Sequence, residues 1–198
     1  MIKKIYFLPV LLLTLFFIAC DETEQVGKYE NWQARNDAFM DSLQHVYDTN
    51  RDRDLYAVTD SRTKAQIFFK KIPGYTATQE LKPILTSTIS VFYRGVLLDE
   101  AVFGNVPSPR YYTSKYEDLT VFDSNFKEKD PSVLDRPHVA AVNSFVSGWI
   151  EILQNMQIGE RWEIYVPYSS GYGASDYGSI PAYSTLIFDI QLVDITEY

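Results

Sequence analysis

The chain has 198 residues, 15 Tyr and 12 Phe among them, and a formal net charge of −8. That length holds one medium domain plus an export segment and a tether, and the aromatic content with recurring strand-sized apolar runs excludes wholesale disorder. The acidic balance excludes nucleic acid, whose phosphates reward Lys and Arg, and argues against docking on anionic headgroups through a basic patch. Cys20 is the only cysteine, so neither a disulfide framework nor a cysteine-rich metal site can form.

Residues 1–19 read as a lipoprotein signal peptide. Met1-Ile2-Lys3-Lys4 is a short basic head, and Ile5 to Ala19 is an uncharged, mostly apolar stretch with Leu11-Leu12-Leu13 at its centre. Such a stretch suits a signal-peptide core and is short for a membrane-spanning helix. It ends in Phe17-Ile18-Ala19-Cys20, which resembles a lipobox with Phe17 in place of the usual Leu. The expectation is lipidation at Cys20 and a place in the cell envelope, at the outer membrane, facing the periplasm or the cell surface. Asp21-Glu22-Thr23-Glu24 reads as a solvated linker, and its acidity also resembles a surface-export signal. Residues 20–60 then form an acidic tether and an N-terminal helix, and residues 61–198 the folded domain.

From Tyr29 to about Thr49 the pattern is helical. Phe39, Met40, Leu43, Val46 and Tyr47 share one apolar face, and Trp32 extends the stripe. Two accounts of that face stand: packing onto the following domain, which is favoured, and a homodimer through the N-terminal helix. Asn50-Arg51-Asp52-Arg53-Asp54 has no apolar residue and reads as a break.

Beyond residue 60 the period changes to two. Ala65 to Ile72 is a strand candidate closed by the turn-prone Pro73-Gly74. Thr88 to Leu97 alternates Ile89, Val91 and Tyr93 against Ser90, Phe92 and Arg94. Residues 99–120 fit no period, contain Pro107, Pro109, Tyr111, Tyr112 and Tyr116, and read as an insertion loop. Trp149, Ile152, Leu153 and Met156 have helical spacing, and Gly159 stands where a left-handed helix terminator would fit. Glu160 to Pro167 and Ser184 to Ile195 are further strands, the second placing Leu186, Phe188, Ile190 and Leu192 on one face. Antiparallel strands with one amphipathic helix predict an α+β domain, the sheet curved over that helix.

Four patches carry a family resemblance. They are Val91-Phe92-Tyr93-Arg94-Gly95-Val96-Leu97; Val121-Phe122-Asp123-Ser124-Asn125; Phe145-Val146-Ser147-Gly148-Trp149 with Met156-Gln157-Ile158-Gly159-Glu160-Arg161; and Tyr172-Gly173-Ala174 with Ile180-Pro181 and Ser184-Thr185-Leu186-Ile187-Phe188-Asp189. In this order, over residues 88–195, they resemble the FK506-binding-protein (FKBP-type) peptidyl-prolyl isomerases. The resemblance implies a curved antiparallel sheet wrapped over a short helix, and a shallow aromatic pocket for proline-containing polypeptide segments. Its catalytic side would be Tyr93, Phe122, Asp123, Trp149, Tyr172 and Phe188, with Phe145, Val146 and Ile180 binding substrate. Trp149 would be the floor, Phe122 and Phe188 walls, and Tyr172 a hydrogen-bond donor to a substrate carbonyl. No metal or other cofactor is implied.

Periodicity alone reads these residues more plainly. Trp149, Tyr93 and Phe188 would be core, and Asp123 a turn or cap residue. The chain also departs from the family: Ala140 stands where Phe is usual, Phe145 where Val is usual, and Ala182 where a second Pro is common, while Lys127 is the nearest charge after the Phe122 patch. An isomerase of exported proteins and a non-catalytic binding or chaperone module of the same fold both fit. A surface receptor for nutrients such as glycans has no specific pattern behind it. His45 and His138 lack metal-ligand spacing, Asp99-Glu100 reads as a solvated turn, and no hydrolase triad or phosphate loop is present.

Overall fold

The computed structural model describes residues 29–98 and 119–198. The expected signal peptide with Cys20, the acidic run after it and residues 99–118 of the expected insertion lie outside the described residues. In chain order the elements are α1 (Trp32–Asp48), β1 (Tyr56–Thr59), β2 (Gln66–Lys71), β3 (Thr88–Leu97), β4 (Val121–Ser124), β5 (His138–Ala141), α2 (Ser147–Leu153), β6 (Arg161–Val166) and β7 (Leu186–Glu197). Among the described residues no helix is long and apolar enough to cross a membrane.

The strands form one antiparallel sheet in the order β1-β2-β6-β7-β3-β4, with β5 also paired to β3. β5 takes residues 88–91 of β3 and β4 takes residues 94–96, so the two short strands share one edge end to end. Register shifts at Thr88/Ile89, Ser90/Val91 and Gly95/Val96 mark bulges in these pairings, and bulges bend a strand and increase its twist. The α+β class expected from the sequence is the class observed.

The period of two sorts the residues of β7 onto two faces. Phe188, Ile190 and Leu192 share a core with Trp149, Ile152, Leu153 and Met156 of the α2 region. Ile187 points the other way, into a second core with Phe68, Val96, Leu98 and Tyr165. Phe39, Leu43 and Val46 complete that second core, so α1 lays its apolar face on the chain's own sheet, the first of the two accounts. Polar ties hold it there: Trp32 Nε1 donates to Ser184 Oγ at 3.0 Å, and the Thr185 amide donates to Asn36 Oδ1 at 2.7 Å.

One local expectation is corrected. α2 ends at Leu153, with Gln154 right-handed at its C-cap, so Gly159 does not terminate it. Gly159 has φ +94° in the turn leading to β6, where a Cβ would lie 2.8 Å from the Thr76 carbonyl oxygen. Its role is close backbone approach in a conformation L side chains resist.

Candidate functional site

The site lies on the α2 face of the sheet. β3 supplies Tyr93, β4 supplies Phe122 and Asp123, and β7 supplies Phe188. Phe145 and Val146 follow a short 3-10 turn at Val142–Ser144 and lead into α2, which carries Trp149. The start of α2 is anchored from outside. Ser147 Oγ donates to Asp60 Oδ2 at 2.6 Å, while Asp60 Oδ1 accepts the amides of Arg62 and Thr63.

Trp149 is the hub. The Tyr93 ring meets it edge-on at 5.4 Å and Phe188 edge-on at 5.0 Å, and Phe145 stacks on it at 4.8 Å with 24° between the planes. Phe122 meets Phe188 edge-on at 5.4 Å. Offset and edge-to-face pairs like these each add about 0.5–1.5 kcal/mol beyond the area they bury. Gly95, paired to Phe188 across β3 and β7, leaves the room: a Cβ there would stand 2.4 Å from Phe122 Cζ and 2.7 Å from Phe188 Cε1.

The depth profile is that of a cup. Trp149, Phe188 and Ile180 are buried, whereas Tyr93, Phe122, Phe145, Val146 and Tyr172 are partly exposed and packed against the same core. Asp123 is exposed at the edge and accepts the Tyr93 hydroxyl at 2.8 Å. Burial, then the hydrogen bond and charge of Asp123, push the Tyr93 phenol up. Burial, then Tyr177 and Asp123, push Tyr172 up as well. Both therefore stay protonated donors at neutral pH.

Tyr172 opens a loop closed on itself. Its ring stacks on Tyr177 at 4.3 Å, Tyr177 and Ile180 exchange backbone hydrogen bonds of 2.9 Å, and the Tyr183 amide donates to the Gly173 carbonyl at 3.0 Å. Ala182 donates its amide to Asp176 Oδ1 at 2.8 Å, a bond that proline, without an N–H, would forfeit.

Three donors at the cup make no hydrogen bond among the described residues. They are the Val146 amide, the buried Trp149 Nε1–H and the Tyr172 hydroxyl. Of the three only Trp149 Nε1 is fully buried, and buried donors are rarely left unpaired. No cluster of metal-ligating side chains occurs among the described residues.

Every sequence-predicted pocket residue from Tyr93 to Phe188 thus falls in one core cluster or, for Asp123, at its edge. Two contributors were missing from the sequence reading. His138 sets its ring 6.1 Å from both Tyr93 and Phe145, and Tyr177 backs Tyr172. The signal for His138 was parity: residues 138 and 140 share a face of β5, so the ring absent at Ala140 is supplied two positions earlier.

Comparison with known proteins points to one family. Residues 110–193 match the family described as FKBP-type peptidyl-prolyl cis-trans isomerase. An FK506-binding protein of Neisseria meningitidis serogroup C is 33% identical over 88 residues, 44% of this chain and 77% of that protein. The chain belongs to the FKBP-type peptidyl-prolyl cis-trans isomerase family. The FKBP-type 22 kDa peptidyl-prolyl cis-trans isomerase of Escherichia coli K12 is 40% identical over 86 residues, 43% of this chain but only 39% of that protein. The outer membrane protein MIP of Legionella longbeachae is 29% identical over 171 residues, 86% of this chain and 57% of its own length. A crystal structure of a Pseudomonas syringae peptidyl-prolyl cis-trans isomerase shares the fold, with TM-score 0.56 at 22% identity over 83% of this chain and 96% of that one. In this chain the buried Trp149 ring carries the Phe145 ring stacked upon it.

Proposed function

We propose that this chain is an extracytoplasmic prolyl isomerase, tethered to the cell envelope by lipid on Cys20, that accelerates the folding of exported proteins. The observation that carries the reading is the ring-lined cup at Trp149 with three unused hydrogen-bond donors around it. The envelope assignment draws support from the lipobox-like Phe17-Ile18-Ala19-Cys20 and from the likeness to an outer membrane protein along most of the chain. The homodimer through α1 draws none, because the helix's apolar face is occupied by its own sheet.

The reaction needs no nucleophile. Resonance holds the X–Pro amide planar behind a barrier of about 18–20 kcal/mol, and uncatalysed exchange takes tens to hundreds of seconds. The planar amide is more charge-separated than the twisted one, so transfer from water to an aromatic cup favours the twist. A donor on the carbonyl oxygen fixes one end of the bond while the other rotates. Tyr172 fills that role in this reading, with the Val146 amide holding the neighbouring backbone. The Tyr93 to Asp123 hydrogen bond keeps the Tyr93 wall in place against Trp149. Each 1.4 kcal/mol of preferential binding to the twisted state gives about a factor of ten in rate.

The test is proline-limited refolding of a model substrate at micromolar chain. The intact chain should shorten the slow phase, and Tyr172→Phe should lower kcat/KM by about tenfold, the equivalent of one hydrogen bond of about 1.4 kcal/mol. Refolding kinetics unchanged by the wild-type chain would sink the reading.

A second reading, a binding or chaperone module without turnover, is favoured by one contact. Phe145 covers a face of the indole on which a proline ring would rest. That reading expects suppressed aggregation with isomer exchange unaltered.

A further inference from the structure

The face of the sheet opposite Trp149 holds a second hollow, of about 750 Å³, within the size range of small-molecule sites. Val121, Val96 and Ile187, consecutive partners across β4, β3 and β7, give it an apolar floor. The neighbouring row is charged: Lys70, Glu163, Asp189 and Arg94 are successive cross-strand partners over β2, β6, β7 and β3.

Most of these charges are already matched. Lys70 pairs with Asp52 at 2.8 Å, and Arg161, buried beside them, bridges Asp130 and Asp189 at 2.6 Å each. Glu163 accepts the Tyr165 hydroxyl. Arg94, Lys127 and Lys129 line the hollow without an ion-pair partner among the described residues, and so do Glu128 and Glu163. Six cationic side chains line the hollow against four carboxylates, a small basic surplus in a chain of net charge −8.

Arg94 is also held ready. Its Nη2 donates to the carbonyls of Phe126, Lys127 and Glu128 at 3.2, 2.9 and 2.7 Å, and its guanidinium lies 4.5 Å over the Phe126 ring. Its Nε and Nη1 make no hydrogen bond among the described residues. A fixed guanidinium with open donors loses little entropy on binding an oxyanion.

We infer that this back-face cavity binds a small amphiphile with one carboxylate head, the carboxylate on Arg94 Nε and Nη1 and the apolar body over Val96, Val121 and Ile187. A purely apolar guest would leave Arg94 unanswered, and a bare anion would leave the floor uncovered. A dianionic head would sit badly with Asp189 and Glu163 behind Arg94. The inference is independent of the isomerase reading, since the two sites lie on opposite faces.

Titration calorimetry of the full chain in nanodiscs, with empty nanodiscs subtracted, tests it using decanoate and decanol as probes. Decanoate should bind with Kd near or below about 1 mM, in line with the ceiling on so small a ligand. Arg94→Gln should weaken decanoate by about tenfold, the equivalent of one charge-assisted bond, and leave decanol unaffected. Val121→Glu, at a half-exposed floor position, should weaken both probes. It keeps the test usable if Arg94→Gln disturbs folding. Tyr172→Phe should bind decanoate as the wild type does. Absence of saturable decanoate binding would overturn the inference. So would loss of binding in Tyr172→Phe with retention in Arg94→Gln, which would place the guest in the front cup.

Discussion

His138 and Phe145 show how a cup can keep its rings while its motif drifts. The family's usual Phe is absent at Ala140, which instead pairs with Ile89 in the sheet, and the imidazole of His138 stands between Tyr93 and Phe145. Phe145 has the larger consequence, because under the proposed function a proline ring would compete with the Phe145 ring, stacked on Trp149 at 4.8 Å, for the same indole face. Phe145→Val should therefore raise kcat/KM toward a short Xaa-Pro peptide by about threefold, the equivalent of about 0.7 kcal/mol. It should also lower stability by roughly 1–2 kcal/mol through lost packing of a half-buried ring. A peptide isomerisation assay beside a urea melt checks both, and a fall in kcat/KM would instead make Phe145 a substrate contact. Most of the cup was legible because residue types such as Tyr93, Phe122, Trp149 and Phe188 survive at their motif positions. His138 was not, since its part depends on a neighbouring strand and only a two-residue parity marks it.

Among the elements, the long ones announced themselves and the short ones did not. β3 occupies Thr88–Leu97, as its alternation predicts, and the stripe of Phe39, Leu43 and Val46 foretold the buried face of α1. β1, β4 and β5 have four residues each, too few for a period of two to stand out from chance. Their pairing is set by β2 and β3 rather than by their own sequence. The destination of α1 was open in the sequence because an amphipathic stripe does not name its partner. Asn36 settles it in the folded chain. Fully buried, it accepts the Thr185 amide at 2.7 Å and donates to the Trp32 carbonyl at 2.8 Å. Asn36→Ala leaves that buried amide without its acceptor, which costs about 1–3 kcal/mol. Urea unfolding should register the loss. The partly exposed Ser42→Ala control on the same helix should shift stability by less than about 0.5 kcal/mol.

At the scale of the whole molecule, two carboxylates, the buried Asp60 and the partly buried Glu163, set opposing slopes on stability against pH. Asp60 holds the start of α2. Burial alone would raise its pKa, but the hydroxyls of Ser147 and Ser170 and the amides of Arg62 and Thr63 together outweigh burial and bring it to about 2. An unfolded Asp titrates near about 3.9, so the stability from Asp60 is present above that value and lost as pH falls toward 2. Glu163, facing the back hollow, runs the other way. Burial first, then the charge of Asp189, raise it to about 7, against the opposing Tyr165 hydroxyl and Lys70. An unfolded Glu releases its proton near about 4.3. Between these values the folded chain keeps a proton the unfolded chain has lost, so stability falls as pH rises, and the loss is complete above 7. The two slopes meet in a maximum near about pH 4–5 from these groups, below the usual neutral range. Glu163→Gln should remove the alkaline slope and gain on the order of 3–4 kcal/mol at pH 8, at about 1.4 kcal/mol per unit of pKa difference. Asp60→Asn should remove the acid slope and leave the alkaline one intact. Urea midpoints at pH 3, 5 and 8 separate the two effects. An undiminished loss between pH 5 and 8 in Glu163→Gln would assign the alkaline slope to another group.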